Sequence, residues 1–309
     1  MRELSILVPA RNEMWLRKTV DDLIEHKEAN TEILVGLDGK WADPPIQDHP
    51  DVTVLHYSES IGQRAITNQL ARLSSAPFVM KIDAHCSFDQ GFDRKMLEDI
   101  QPDWTMACTM CNLHVFDWHC LTCDSTHYQG PTPTECWKDG CPGKTFERRM
   151  IWKPRRGIAS VHYRFDKDMH FQYWRDAKRR PENKGELVES LGLQGSMFML
   201  SRDKYWELNI CDEGHGSWGQ QGVEVACKTW LSGGRVVITK KTWYAHLFRT
   251  QGGDFGFPYP NPGVDKAREY SRNLWLGDNG DGSTCNWSKA KYTLQWLLEK
   301  FRPVPDWHE

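Results

Sequence analysis

Met80-Lys81-Ile82-Asp83-Ala84-His85-Cys86 is a strand-like apolar run that ends in an acid and a histidine. Alternate positions of an extended chain point the same way, so Asp83 and His85 can reach one ion from the strand's carboxyl end. A carboxylate with an imidazole suits Mn²⁺, with Mg²⁺ as the other candidate. In isolation, Asp-x-His is more often a helix cap beside a bystander histidine. Its surroundings decide.

Working outward, short apolar segments at 4–8, 32–37, 52–56, 78–82 and 104–110 alternate with helical patterns at 15–26, 61–73 and 92–100. Such alternation implies an α/β fold with a mainly parallel sheet covered on both faces. Ligands of such sheets bind beyond the strands' carboxyl ends. Those ends carry Pro9-Ala10-Arg11-Asn12-Glu13, Asp38-Gly39 and Asp83-Ala84-His85. Residues 113–188, rich in Cys, Pro, Gly, Arg and aromatics, break the pattern. It resumes with strands at 193–200, 235–239 and 243–248 and a helix at 220–231. Residues 1–112 and 189–277 are therefore expected to form one catalytic domain interrupted by an insertion. Residues 278–309 would add a turn and an amphipathic helix, with Trp287, Ala290, Leu294, Leu297, Leu298 and Phe301 on its apolar face. Asp278-Asn279-Gly280-Asp281-Gly282 has the wrong spacing for a calcium loop and reads as a turn.

The 309 residues are 39% hydrophobic and 26% charged, a globular composition that excludes disorder, collagen and a coiled coil. No apolar run is long enough to span a bilayer. The first residues enter a strand-like run with no secretory signal, so a cytoplasmic protein without a membrane partner is expected. Net charge is −3, but residues 144–184 hold 13 Lys/Arg against five acids, a local +8 that leaves −11 elsewhere.

The segments 4–13, 36–39, Gly62-Gln63-Arg64 and 82–85 resemble the nucleotide-sugar-binding half of GT-A glycosyltransferases. The Asp-x-His form is similar to that of polypeptide N-acetylgalactosaminyltransferases. Residues 195–201, Trp218-Gly219, Glu224, Trp230, Gly233-Gly234, 245–249 and 266–275 follow that family's order. The resemblance implies a GT-A fold, a UDP-sugar donor, and Asp83, His85 and His246 as Mn²⁺ ligands that neutralise the leaving diphosphate. It implies that Pro9, Arg11 and Glu13 flank the uracil, that Asp38 lies beside the nucleoside, and that Arg64 and Arg249 lie on the donor side. Trp218 would flank the donor; a buried core tryptophan is the competing reading. The family's Trp-Gly-Gly-Glu-Asn reads Trp218-Gly219-Gln220-Gln221-Gly222, so a sugar-contacting glutamate becomes Gln221. Gly222 stands where inverting relatives carry a catalytic aspartate, and glycine is no general base, which implies retention of configuration. Glu224, the nearest carboxylate, reads as structural. Gly252 and Asp254 replace a His and a Tyr of a loop whose Gly252-Gly253, Pro258, Pro260 and Pro262 give it the composition of a hinged lid. Asp83, His85, Trp218 and Gln221 are the catalytic candidates.

Inside the insertion, Cys120-x2-Cys123 and Cys136-x4-Cys141 suit a closed tetrahedral Zn²⁺ site, a zinc knuckle. Disulfides are the alternative, and the missing secretory signal weighs against them. His119 and His127 are possible substitute ligands, whereas Cys108 and Cys111 read as core. The +8 segment interleaves Arg155, Arg156, Lys178, Arg179 and Arg180 with aromatics, as nucleic-acid contact requires; a solvated charged face is the competing reading. The expected acceptor is accordingly a hydroxymethylated pyrimidine in double-stranded DNA, as in phage-type glycosyltransferases that resemble this family, with the base flipped out. Two alternatives remain: transfer to a protein Ser/Thr or a glycan, and an inactive nucleic-acid-binding module.

Overall fold

The structure, a computed structural model, describes residues 1–248 and 263–308. Its first four strands are β1 (Leu4–Ala10), β2 (Thr31–Asp38), β3 (Val52–Tyr57) and β4 (Phe78–Ile82). Between and after them come α1 (Leu16–His26), α2 (Gln63–Leu73), the short strand β5 (Cys86–Phe88) and α3 (Phe92–Leu97). Strand β6 (Trp104–Cys120) leads to β7 (Thr126–Tyr128) and β8 (Phe146–Ser160), then to the small pair β9 (Tyr163–Phe165) and β10 (Phe171–Tyr173). The chain closes with β11 (Leu187–Glu189), β12 (Met197–Ser201), α4 (Arg202–Glu207), α5 (Gln221–Leu231), β13 (Arg235–His246), α6 (Val264–Trp275) and α7 (Leu294–Lys300).

The main sheet runs β11-β13-β6-β12-β4-β1-β2-β3. β1, β2, β3 and β4 are mutually parallel, β12 lies antiparallel between β4 and β6, and β13 is parallel to β6. All seven β1 side chains are buried, as a central strand covered on both faces requires. Its alternation is visible in the packing: Leu4, Ile6 and Val8 join α1 and α3 on one face, while Leu7 joins α2, α5 and α7 on the other. Gly36 of β2 is where α2 comes closest, since a Cβ there would lie 2.7 Å from Ile66. This topology puts the carboxyl ends of β1, β2, β4 and β13 at one edge, where Pro9, Asp38, Asp83 and His246 stand.

Several boundaries move. β6 passes through 112/113 without a break, because β8 already pairs with it from Met110, on the side away from β13, and carries it on to Cys120 after the last β13 pair, Asn112 with His246. The expected domain boundary therefore falls inside a strand, and the first part of the insertion is a protruding arm of the main sheet. The segments 235–239 and 243–248 form one strand, β13, with a register shift between Thr239 and Trp243. α7 is shorter than the apolar stripe suggested. It starts at Leu294, capped by Thr293, and Trp287 and Ala290 reach the same core from the preceding turn. Cys108 and Cys111 are buried in the core. No helix among the described residues is long and apolar enough to cross a membrane.

Candidate active site and metal centre

A cleft of about 440 Å³ opens at the strand carboxyl ends. Pro9, Arg11, Glu13, Asp38, Asp83, His85, Trp218 and His246 line it, each of them picked out from the sequence. Asp83, at the end of β4, is fixed by its backbone N–H to the Ser196 carbonyl (2.8 Å). Leu247, directly after β13, donates to the His85 carbonyl (3.1 Å), which ties the two histidine segments together.

Donor atoms of Asp83, His85 and His246 all lie within 4.8 Å of one another. His246 Nε2 is 3.2 Å from Asp83 Oδ2 and 3.1 Å from His85 Nε2. Metal bonds of about 2.1 Å at right angles put neighbouring ligand atoms about 3 Å apart, so the three groups fit one divalent cation. His85 Nδ1 lies 2.9 Å from Glu13 Oε2, and donation to that carboxylate leaves Nε2 bare as a ligand. Burial disfavours ionisation of Asp83, but the adjacent Lys81 ammonium and His246 outweigh it and hold the carboxyl well below its usual range. Burial also pushes the His246 imidazole down to about 4, so it is neutral and able to bind metal near neutrality.

Two residues expected at the donor do not line the cleft. Arg64 is buried and turned under the cleft, where it pairs with Glu224 and donates to the Gly219 carbonyl (2.5 Å). Gln221 is also buried, and its amide meets Cys211 Sγ at 3.0 Å rather than the cleft. Both belong to the scaffold of the 212–219 loop, which brings Ser217 and Trp218 to the cleft. Gly222 is forced by packing: a Cβ would lie 2.2 Å from the Leu193 carbonyl oxygen, so no acidic side chain fits there. Asp38 is already occupied, accepting from Ser60 Oγ (2.7 Å) and from the Ile61 (2.6 Å) and Gly62 backbone. It shapes one wall of the cleft. Arg249, Gly252, Asp254 and the rest of the expected lid lie outside the described residues.

Sequence reasoning missed Lys81, Phe171, Tyr173 and Gln194. Lys81 was findable, since it lies two residues before Asp83 on the same strand face. Phe171 and Tyr173 come from the insertion, and nothing local aims them at the cleft.

The basic segment divides. Arg155, opposite Asn112, sits over the Tyr128 ring (4.6 Å) and Arg156 over Trp243 (5.3 Å). Arg180 lies over Trp174 (4.3 Å), donates to the Phe301 and Pro303 carbonyls, and lines a separate cavity with Trp104. Trp104 and Asn112 are eight residues apart on β6, about 26 Å at strand rise. Exposed Arg179 pairs with Asp176, and Lys178 belongs to the same short turn. The five candidates therefore fall into two groups, because β8 runs back along β6 and the chain then continues to the opposite sheet edge.

The 212–219 loop also holds His215, whose two ring nitrogens are buried without partners, and whose ring meets Tyr270 edge-on. Burial lowers the imidazoles of His215 and His162 to about 4, against 6.5 in the unfolded chain. The unfolded state therefore takes up protons first as pH falls, and stability is lost between about pH 6.5 and 4, by roughly 1.4 kcal/mol per pH unit for each histidine. Urea unfolding midpoints are expected to drop over that window, and less steeply in His215→Phe; an equal slope in the variant would refute this.

Residues 5–119 match the profile of glycosyl transferase family 2. A solved structure of GalNAc-T7 with UDP, GalNAc and Mn²⁺ superposes with a TM-score of 0.62 over 91% of this chain and 50% of that one, at 18% identity. The fold is that of a GT-A glycosyltransferase. Human polypeptide N-acetylgalactosaminyltransferase 10 is 23% identical over 289 residues, 89% of this chain and 42% of its own length. A putative polypeptide N-acetylgalactosaminyltransferase 13 of Drosophila melanogaster is 24% identical over 225 residues, 73% and 34% respectively. The chain thus spans well under half of these curated relatives. None of the relatives named bears on DNA.

Proposed function

We propose that this GT-A chain moves a sugar from a UDP-sugar to a hydroxyl of a protein Ser or Thr, with retention of configuration and with Mn²⁺ at Asp83, His85 and His246. The observation that carries the reading is the convergence of those three side chains at the open mouth of a nucleotide-sized cleft. The names of the curated relatives support the protein acceptor over DNA. The bound cation would stabilise negative charge on the departing diphosphate.

The protein's own groups leave little room for an enzymatic base. Among the described residues the cleft carboxylates are Glu13, Asp38 and Asp83. Glu13 holds His85, Asp38 holds the 60–62 backbone, and Asp83 faces the other metal ligands. The acceptor proton therefore passes to the leaving diphosphate oxygen as the acceptor oxygen bonds the anomeric carbon on the face the leaving group vacates. Trp218 offers a flat wall beside the donor.

The test is sugar transfer in Mn²⁺ from UDP-N-acetylgalactosamine and UDP-glucose, offered Ser/Thr peptides or hydroxymethylcytosine-containing duplex DNA, read by mass spectrometry. Sugar mass on the peptide, abolished by chelation, is the expected result. Sugar on the nucleoside alone would replace the acceptor assignment. Failure to consume either donor would overturn the reading.

A further inference from the structure

β6 extends eight residues beyond the level of His246 and, with β7 and β8, forms an arm at the cleft edge. At its tip, the loop between β7 and β8 has no regular structure. Four sulfurs meet there. Cys120 and Cys141 Sγ atoms are 3.9 Å apart, those of Cys123 and Cys136 are 3.6 Å apart, and all four lie within 4.8 Å of one another. Zinc–sulfur bonds of about 2.3 Å in a tetrahedron put sulfurs about 3.8 Å apart, whereas a disulfide would draw two of them to about 2.05 Å. All four cysteines are free thiols. The surroundings are built for thiolates. Backbone N–H groups of Lys138 and Gly143 point at Cys136 and Cys141 Sγ (3.4 Å each), and Ser125 Oγ is 3.0 Å from Cys123 Sγ. Gly143 leaves the necessary room, since a Cβ there would lie 2.7 Å from Cys120 Sγ. His119 is no ligand: it is engaged with Asp124 and Glu147.

From this cluster a line of packed rings runs to the catalytic cleft. Trp137, between Cys136 and Cys141, packs on Phe146 (5.4 Å). Both belong to one apolar cluster with Phe116 and Trp118 of β6 and with Trp15, which stacks on Phe116 (5.6 Å). The backbone N–H of Trp15 donates to Glu13 Oε1 (3.0 Å), and Glu13 Oε2 holds His85.

We propose that Cys120, Cys123, Cys136 and Cys141 bind one Zn²⁺ that pins the arm and, through the Trp137–Phe116–Trp15 packing, keeps Glu13 on His85. The second half rests on the reading of Asp83, His85 and His246 as the donor-metal site. Glu13 is thereby a positioning residue, and the zinc backs it from a distance.

The experiment uses the full chain. Metal analysis after dialysis against metal-free buffer should give one zinc per chain. A mercurial thiol reagent should release it as four thiols react, and cobalt substitution should give the visible spectrum of a tetrahedral thiolate. Cys141→Ser should lose the zinc and weaken Mn²⁺ binding to the UDP complex by about 10-fold, as supporting contacts to a metal-bound histidine typically do, with Cys285→Ser unchanged in both. If Cys141→Ser is insoluble, mercurial release in the wild type gives the same comparison. No zinc in the wild type, or thiols reacting without release, overturns the site. Zinc loss with unchanged Mn²⁺ affinity overturns the link to Glu13. Normal zinc with no Mn²⁺ binding in the wild type would instead sink the donor-metal reading.

Discussion

Asp83→Asn is expected to lower Mn²⁺-dependent sugar transfer by about three orders of magnitude. The substitution keeps the volume at the end of β4 and the backbone bond to Ser196, so it tests charge rather than shape. It removes the one carboxylate, and with it the only negative charge, among the three converging ligands. A metal that stabilises a leaving diphosphate supplies several kcal/mol of transition-state stabilisation, and about 4 kcal/mol corresponds to a thousandfold. The variant also leaves Lys81, itself 1% exposed, without its anion, with only neutral acceptors, the new amide oxygen and the Gly195 carbonyl (2.9 Å), in place of the ion pair. A buried ammonium without its anion destabilises the chain, so rates belong well below the variant's melting temperature. Steady-state kinetics over a Mn²⁺ titration checks the claim. Activity within tenfold of wild type at saturating Mn²⁺ would remove Asp83 from the metal site.

How much of this was legible depended on the range of the interaction. The β4 end could be read because strand alternation alone aims Asp83 and His85 together. His246, about 160 residues later, came only through family resemblance, since a single strand says nothing of which strand it will neighbour. Arg64 and Gln221 failed for a related reason. Their places at the starts of α2 and α5 were nearly right, but their side chains turn to partners, Glu224 and Cys211, that only the assembled fold supplies. The spatial division of the basic insert could not be read because a charge count along the chain ignores direction: β8 returns along β6, and the next 20 residues cross to the other sheet edge. The arm itself was hidden by composition. The residues 113–120 look like loop through their histidine, aromatic and cysteine content, yet most are buried in a continuing strand.

Glu224→Gln is expected to cost about 4 kcal/mol of stability and roughly 10 °C of melting temperature. Glu224 is fully buried in α5 between two cations, Arg64 from α2 and Lys228 one turn on (2.9 Å). Burial alone would raise its carboxyl, but Arg64 and Lys228 together hold it down at about 2. That stability is complete above the unfolded value near 4.5 and is lost as pH falls from there toward 2. Glutamine fills the same space while leaving two buried cations short of an anion. Lys228 retains Asp212 at 3.5 Å, which softens the loss, but Arg64 is left with neutral acceptors, the amide oxygen and the Gly219 carbonyl, and no anion among the ion pairs of the described residues. Glu224 also accepts the Asp212 backbone N–H (2.9 Å), so both ends of the 212–219 loop hang on this network. A looser loop displaces Trp218, and the donor KM should rise more than kcat falls. The triple variant Arg64→Met, Glu224→Leu, Lys228→Met separates charge from packing. It should recover most of the melting temperature, because well-packed apolar groups often replace a buried ion network at little cost. If Glu224→Gln melts within 2 °C of wild type, the network is not what fixes the loop, and the cleft wall must be held by α6 instead.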